Sequence, residues 1–232
     1  MQAQSLEEAF QQICATEAPL RERMAAFSAA VRQFGLPFAE AYDDLVARIR
    51  CGDAGSTAPK VGERMPSFLL PDENGRLLDL RDLLAQGPAV ISFNRGHWCE
   101  YCAIELNALS RSMSEIAAHG ASVTSIMPET EQFTREVATR TGHSFRILSD
   151  IDHGYALSLG LVVWLGERVR KLYLSHGLNL ARFQNSSSWF VPIPATFVVG
   201  RDGRILARHI DPDFRNRMDV EDIIAALKSS AP

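Results

Sequence analysis

The run Ala89-Val90-Ile91-Ser92-Phe93 leads through Asn94-Arg95-Gly96 into a segment of helical spacing that carries Cys99 and Cys102. Near-continuous apolar character over five residues fits a strand buried on both faces, as in a sheet covered by helices. Gly96 breaks the run. Ala103, Leu106, Leu109, Met113 and Ile116 then recur on one face of a predicted helix that Gly120 ends. The two cysteines stand about one helical turn apart, so their sulfurs can close a small disulfide ring. The unpaired N–H groups at a helix start favour a thiolate, and Arg95 adds a cation beside it. A Cys-x-x-Cys pair in this position marks redox chemistry rather than packing.

The segments that follow supply the rest of such a sheet. Ala121 to Met127 reads as the next strand, Glu129 to Thr141 as a polar helix, Phe145 to Leu148 as a short strand and Asp150 to Gly160 as a short helix. Ala195 to Val199 and Arg204 to Ala207 flank Gly200-Arg201-Asp202-Gly203 as a hairpin, and Asp219 opens a final helix through Leu227. Ahead of the cysteines, Ser67 to Leu70 and Arg76 to Leu78 flank the turn signal Asn74-Gly75, and Leu80 to Leu84 suggests a short helix. Alternating strands and helices require crossover connections, and the terminal hairpin makes the sheet mixed; the fold class is α/β. Leu161 to Leu174 is apolar with a basic middle and partly helical, and Ser175 to Ser188 reads as loop.

Residues 1–55 form a predicted N-terminal helical extension. Leu6, Ala9, Phe10, Ile13 and Cys14 share one face, Leu20 to Phe34 and Phe38 to Ile49 repeat the pattern, and Gly52 suits a C-terminal cap. These stripes need a partner, either the main domain or a second subunit, and a homodimer through them is an expectation. The small and turn-forming residues 52–60 are the predicted linker to a domain over 60–228.

Composition narrows the function classes. The chain has 232 residues, 46% hydrophobic and 22% charged, with a net charge of -4 and no basic block, which argues against nucleic-acid binding. No apolar run is long enough to span a membrane, and the first residues lack a signal-peptide pattern, so a cytoplasmic protein is expected. Four cysteines are too few for a disulfide scaffold. A zinc site would need a second close pair, and Cys14 and Cys51 stand alone, so no metal and no cofactor are expected.

The run Phe93-Asn94-Arg95-Gly96-His97-Trp98-Cys99-Glu100-Tyr101-Cys102 resembles the motif of the thioredoxin-like superfamily. It resembles in particular the peroxiredoxin-like branch, the alkyl hydroperoxide reductase C/thiol-specific antioxidant family. Ile193-Pro194-Ala195-Thr196-Phe197 followed by Asp202-Gly203 resembles that fold's cis-proline strand and hairpin. Val61 to Phe68 with Asn74-Gly75 resembles the entry to a peroxiredoxin-type domain. The resemblance, over about residues 60–228, implies a thioredoxin-like mixed central sheet. It also implies a hydroperoxide-reducing dithiol whose Cys99–Cys102 disulfide is reduced by thioredoxin or a similar dithiol. Peroxiredoxin precedent makes Cys102 the attacking thiol, with Cys99 at the usual Thr; thioredoxin precedent makes Cys99 the attacker. Glu100 stands where Pro is usual, and Pro194 lies near the place of the family's peroxide-activating Arg, a role open to Arg95. Trp98 is expected to shield the pair, and a cis Pro194 to present a backbone edge to the reductant. His97 either tunes the sulfurs or is a solvated turn residue. Two other functions fit the same residues: a thioredoxin-type protein disulfide reductase, or a non-enzymatic redox-sensing module.

Overall fold

The computed structural model of the chain describes residues 3–141 and 145–229. Three helices come first: α1 (Leu6–Ala15), α2 (Leu20–Phe34) and α3 (Leu36–Cys51). Ser5 caps α1 by accepting the Glu8 N–H, and Gly52 closes α3. The hairpin of β1 (Leu69–Pro71) and β2 (Leu77–Asp79) follows, then α4 (Leu80–Gln86), whose first turn is held by an Asp79/Asp82 capping box.

The central sheet contains β3 (Ala89–Phe93), β4 (Ser122–Met127), β5 (Arg146–Ser149), β8 (Ala195–Val199) and β9 (Ile205–Ile210) in the order β5-β4-β3-β8-β9. Its strands β3, β4 and β5 are parallel, while β8 runs antiparallel to both β3 and β9, so the sheet is mixed as the α/β reading requires. The crossovers are α5 (Glu100–Arg111) with α6 (Met113–Ala118), and α7 (Glu131–Thr141). The single helix expected through Gly120 is broken at Ser112, which ends one helix and begins the other.

Alternation along β3 sorts its side chains. Ala89, Ile91 and Phe93 join Phe68, Leu80, Leu83 and Tyr155 on one face. Val90 faces Leu106, Leu109, Ile223 and Leu227 from α5 and α11 (Val220–Lys228) on the other. Ser92 shares that second face and is fully buried, so a polar position is built into the core beside α5.

Two corrections fall in residues 161–193. The apolar stretch begins with β6 (Val162–Trp164), which pairs with β7 (Phe190–Pro192), and continues into α9 (Glu167–Ser175). The stretch 175–188 contains α10 (Leu180–Gln184), opened by the Asn179 side chain accepting the Ala181 N–H. Five residues carry too little periodicity for a sequence signal. Between β5 and α9 the chain makes a 3₁₀ turn (Ile151–His153) and α8 (Gly154–Ser158).

The apolar faces of the N-terminal helices are covered by the same chain. Met24, Phe27 and Val31 of α2 and Leu45, Val46 and Ile49 of α3 share one core with Tyr101 and Ile104 of α5, Val169 and Tyr173 of α9, and Phe214. The connecting segment lies along β9: Gly62 N–H donates to Ile205 O, Ile205 N–H to Glu63 O, and Met65 N–H to Gly203 O. That pairing covers the sheet edge. No helix among the described residues is long and apolar enough to cross a membrane.

Candidate active site

The chain leaves β3 at Phe93 and turns through Asn94, Arg95 and Gly96 before α5 begins. Asn94 holds the exit: its N–H donates to Ile126 O, and its amide to Ser92 Oγ at 2.8 Å and Ser125 Oγ at 3.2 Å. Gly96 has φ of 141°, and a Cβ there would lie 2.5 Å from both Glu129 Oε1 and Trp98 Nε1, so the close turn requires glycine. Cys99 is the N-cap residue of α5 and Cys102 lies in its first turn. Both are free thiols, exposed by only 3% and 0%.

One guanidinium contacts a sulfur, and a second acts on the pair through its charge. The backbone N–H of Arg95 donates to Cys102 Sγ at 3.3 Å, Arg217 Nη2 lies 3.7 Å from the same sulfur, and the Arg95 side chain contributes its charge. Arg217 is in turn paired with Glu105, Nε to Oε2 at 2.7 Å, with both side chains almost fully buried. Glu105 Oε1 accepts from Ser92 Oγ at 3.0 Å and Thr196 Oγ1 at 3.2 Å. The polar positions of β3, β8 and α5 therefore form one buried network that fixes a cation beside Cys102.

Arg95 is different: it is fully buried and pairs with no carboxylate among the described residues. Its guanidinium lies 4.0 Å from the Phe214 ring centroid and 5.0 Å from that of Trp98, and Nη2 donates to Tyr173 Oη at 3.3 Å. Aromatic faces offset part of the cost of burying a cation, about 2 kcal/mol in desolvated sites. The groups whose negative charge acts on it are the Tyr173 and Tyr42 phenols and the two sulfurs.

Burial by itself raises a thiol. At Cys99 the thiol and backbone N–H of Cys102 and the charges of Arg95 and Arg217 outweigh burial and bring the group down to about 7. At Cys102 burial, then the hydrogen bond and charge shared with Cys99, push the thiol well up. The two shifts run in opposite directions, Cys99 down and Cys102 up, as they do for neighbouring thiols that share one negative charge.

Replacing Arg95 by Met is expected to raise the Cys99 thiol by about one unit, because the buried anion loses its uncompensated cation. A raised value leaves less thiolate at pH 7, about fivefold less from a starting value of about 7, and full thiolate returns only at higher pH. Titration of the thiolate ultraviolet absorbance reads this directly. A midpoint unchanged from the wild type would show that Arg95 does not hold the anion.

The other expected site residues fall around this centre. Trp98 is half-buried and packs on Arg95 and on Tyr173, with the Trp98 and Tyr173 ring centroids 5.4 Å apart. His97 is not a free turn residue. Its N–H and Nδ1 both meet the buried Glu129 at 2.8 Å, and its ring stacks on Phe133 and abuts Phe183. Pro194 immediately precedes Ala195, which pairs with Phe93 at the sulfur end of β3. The expected cis bond at Pro194 is overturned: no described peptide bond is cis. The trans form is favoured by about 0.5–1 kcal/mol at X–Pro bonds, and here β6–β7 pairing and the Ile193 N–H to Leu161 O bond already set the chain's entry into β8.

Sequence reasoning missed Arg217, Glu105, Tyr173, Phe214 and Glu129. Arg217 meets Glu105 across 112 residues, a separation with no local signature. Glu105 did carry a signal, a charged residue one turn after Cys102 on a buried helix, with Ser92 and Thr196 as polar positions in apolar strands. Among the described residues, no group of three or more His, Cys, Asp or Glu is placed to hold a metal ion.

Comparison with known proteins agrees with this geometry. Peroxiredoxin Bcp of Escherichia coli strain K12 is 24% identical over 172 residues, covering 74% of this chain and 97% of that protein. The crystal structure of peroxidoxin BcpB from Mycobacterium tuberculosis aligns with a TM-score of 0.58 at 21% identity, over 75% of this chain and 99% of that one. Peroxiredoxin Q of Xanthomonas campestris aligns with a TM-score of 0.53 at 16% identity, over 71% and 92%. These structural likenesses speak for a peroxiredoxin-type thioredoxin fold. Residues 61–208 match the AhpC/TSA family model, with α1 to α3 lying outside the matched stretch, and on that match the chain belongs to the AhpC/TSA family.

Proposed function

We propose that the protein is a thiol peroxidase that reduces hydroperoxides through Cys99 and Cys102. The observation that carries this reading is a buried dithiol flanked by two cations, one of them without a carboxylate partner. Sulfurs exposed by 3% and 0% suit a substrate as small as a peroxide better than a folded protein disulfide. Family membership supports the same chemistry.

The Cys99 thiolate attacks the outer oxygen of ROOH. The S–O bond forms as the O–O bond breaks, and the leaving alkoxide takes up a proton to give the alcohol or water. Arg95 and Arg217 are placed to stabilise the negative charge that moves from sulfur to the departing oxygen. Cys102 sulfur then attacks the Cys99 sulfenic acid, forming the disulfide and releasing water. A dithiol of thioredoxin type returns both sulfurs to the reduced state by exchange, with one proton going to each. A reducing compartment such as the cytoplasm would maintain that supply.

A second reading is favoured by one contact set. The Arg95 backbone N–H and the Arg217 guanidinium both address Cys102 Sγ, which would suit Cys102 as attacker once its proton has moved. The overall cycle is the same with the roles exchanged.

The test is peroxide-dependent oxidation of reduced thioredoxin, coupled to NADPH through its reductase. Turnover that needs both protein and peroxide supports the proposal. No peroxide-dependent rate, together with reduction of insulin disulfides, would replace it with a disulfide reductase.

A further inference from the structure

A cavity of about 240 Å³ lies between α1 to α3 and the main domain, on the Trp98 side of the dithiol, with Glu100 and His176 as its polar lining. Phe27, Val31, Phe38 and Tyr42 form its extension side, and Trp98 and Tyr173 form the side toward the sulfurs. Every one of those extension residues lies outside the stretch matched to the family. The larger cleft of about 590 Å³, by Arg64, Leu84 and Gly203, opens near the β8–β9 turn, at the other end of β3 from the cysteines.

Three observations define the occupant. First, the wall is ring-rich: Phe38 and Tyr42 each contact Tyr173, with centroids 6.2 and 6.4 Å apart. Burial pushes the Tyr42 and Tyr173 phenols up, so both rings are uncharged at neutral pH. Second, the volume sits just below the roughly 300 Å³ at which drug-sized pockets begin, which is room for one ring or a short branched chain. Third, Trp98 and Tyr173 both contact Arg95, the cation that acts on the sulfurs. The Arg95 Nε is buried with no acceptor among the described residues. Trp98 Nε1 also has no acceptor among the described residues, so the ring is held through its faces, by Arg95 and Tyr173.

Resting on the peroxidase reading, we infer that this cavity is a substrate subsite built by the N-terminal extension for the apolar group of an arylalkyl hydroperoxide. The ring occupies the space among Phe27, Phe38 and Tyr42. The peroxide end passes Trp98 as that side chain swings aside, and its inner oxygen accepts from Arg95 while Cys99 takes the outer one. The reaction is the one already written, with an arylalkyl alcohol as the product that leaves the cavity. Hydrogen peroxide has no group to fill the space and gains nothing from it.

The test uses Leu178→Trp, which places a ring at the half-buried rim of the cavity, with Val31→Phe as a second filling variant. The ratio of kcat/KM for cumene hydroperoxide to that for hydrogen peroxide is expected to fall about tenfold or more, the range hydrophobic pockets achieve. In parallel, saturation-transfer NMR follows binding of the product alcohol, 2-phenyl-2-propanol, to the reduced protein. Saturable binding to the wild type that is lost in the filled variants supports the subsite. An unchanged ratio in a folded variant, or no binding of the alcohol to the wild type, overturns it. If the wild type reduces neither peroxide, the peroxidase reading fails, and the alcohol measurement still decides whether the cavity accepts such a group.

Discussion

Cys99→Ser is expected to remove peroxide turnover by about three orders of magnitude or more, as loss of a catalytic nucleophile does. Cys102→Ser is expected to stop after one event, leaving one sulfenic acid on Cys99 per chain. The difference follows from where the negative charge rests. Cys99 caps α5 and is brought down to about 7, with Arg95 and Arg217 near it. Burial and the neighbouring anion keep the Cys102 proton in place. A resolving thiol does not need to be ionised until sulfenic acid has formed, and the loss of the Cys99 anion at that point relieves its raised value. Mass spectrometry after dimedone trapping reads the outcome on both variants. Sulfenic acid accumulating on Cys102 of Cys99→Ser at the wild-type rate would reverse the assignment and make the Arg95 and Arg217 contacts to Cys102 the catalytic ones.

Arg217→Met is expected to be the most damaging single change to the fold. The methionine fills part of the space, but Glu105 is left as a buried carboxylate with only the Ser92 and Thr196 hydroxyls to support it. Breaking a buried pair from one side costs about 3–5 kcal/mol. Removing both charges, in Arg217→Met with Glu105→Leu, is expected to recover most of that loss, because a buried ion pair is little more stable than apolar residues of similar size. Urea unfolding of the two single variants and the double variant measures the difference. The double variant should fold and still react slowly with peroxide, since the cation near Cys102 is gone. Equal stability of Arg217→Met and the wild type would mean that the Glu105 charge is not held in the core as the geometry has it.

The placement of chemistry was legible because it is local. A strand, a glycine turn and a helix start are written in adjacent residues, and Cys99, Cys102, Arg95 and Trp98 all fall within eight positions of one another. The hairpins at Asn74-Gly75 and at residues 200–203 were legible for the same reason, since turn chemistry is a short-range property. Residues 161–193 were not, because β6 and β7 are three residues each and are defined by pairing with one another, with two helices between them. The trans bond at Pro194 belongs to the same class, as the pairing upstream sets the strand's path.

The sequence alone determined that a Cys-x-x-Cys dithiol sits between a buried strand and a helix, in a mixed α/β sheet behind helices of amphipathic pattern. Periodicity and turn residues are enough for that, because hydrophobic burial and backbone hydrogen bonding act on neighbours in the chain. Only the tertiary structure decided what surrounds the sulfurs. Arg217 reaches them from the approach to α11, Tyr173 from α9, Phe214 from the loop after β9, and the apolar faces of α2 and α3 close over the same corner. Those groups meet through packing of distant segments, and they supply the burial and cationic charge under which the two neighbouring thiols shift in opposite directions.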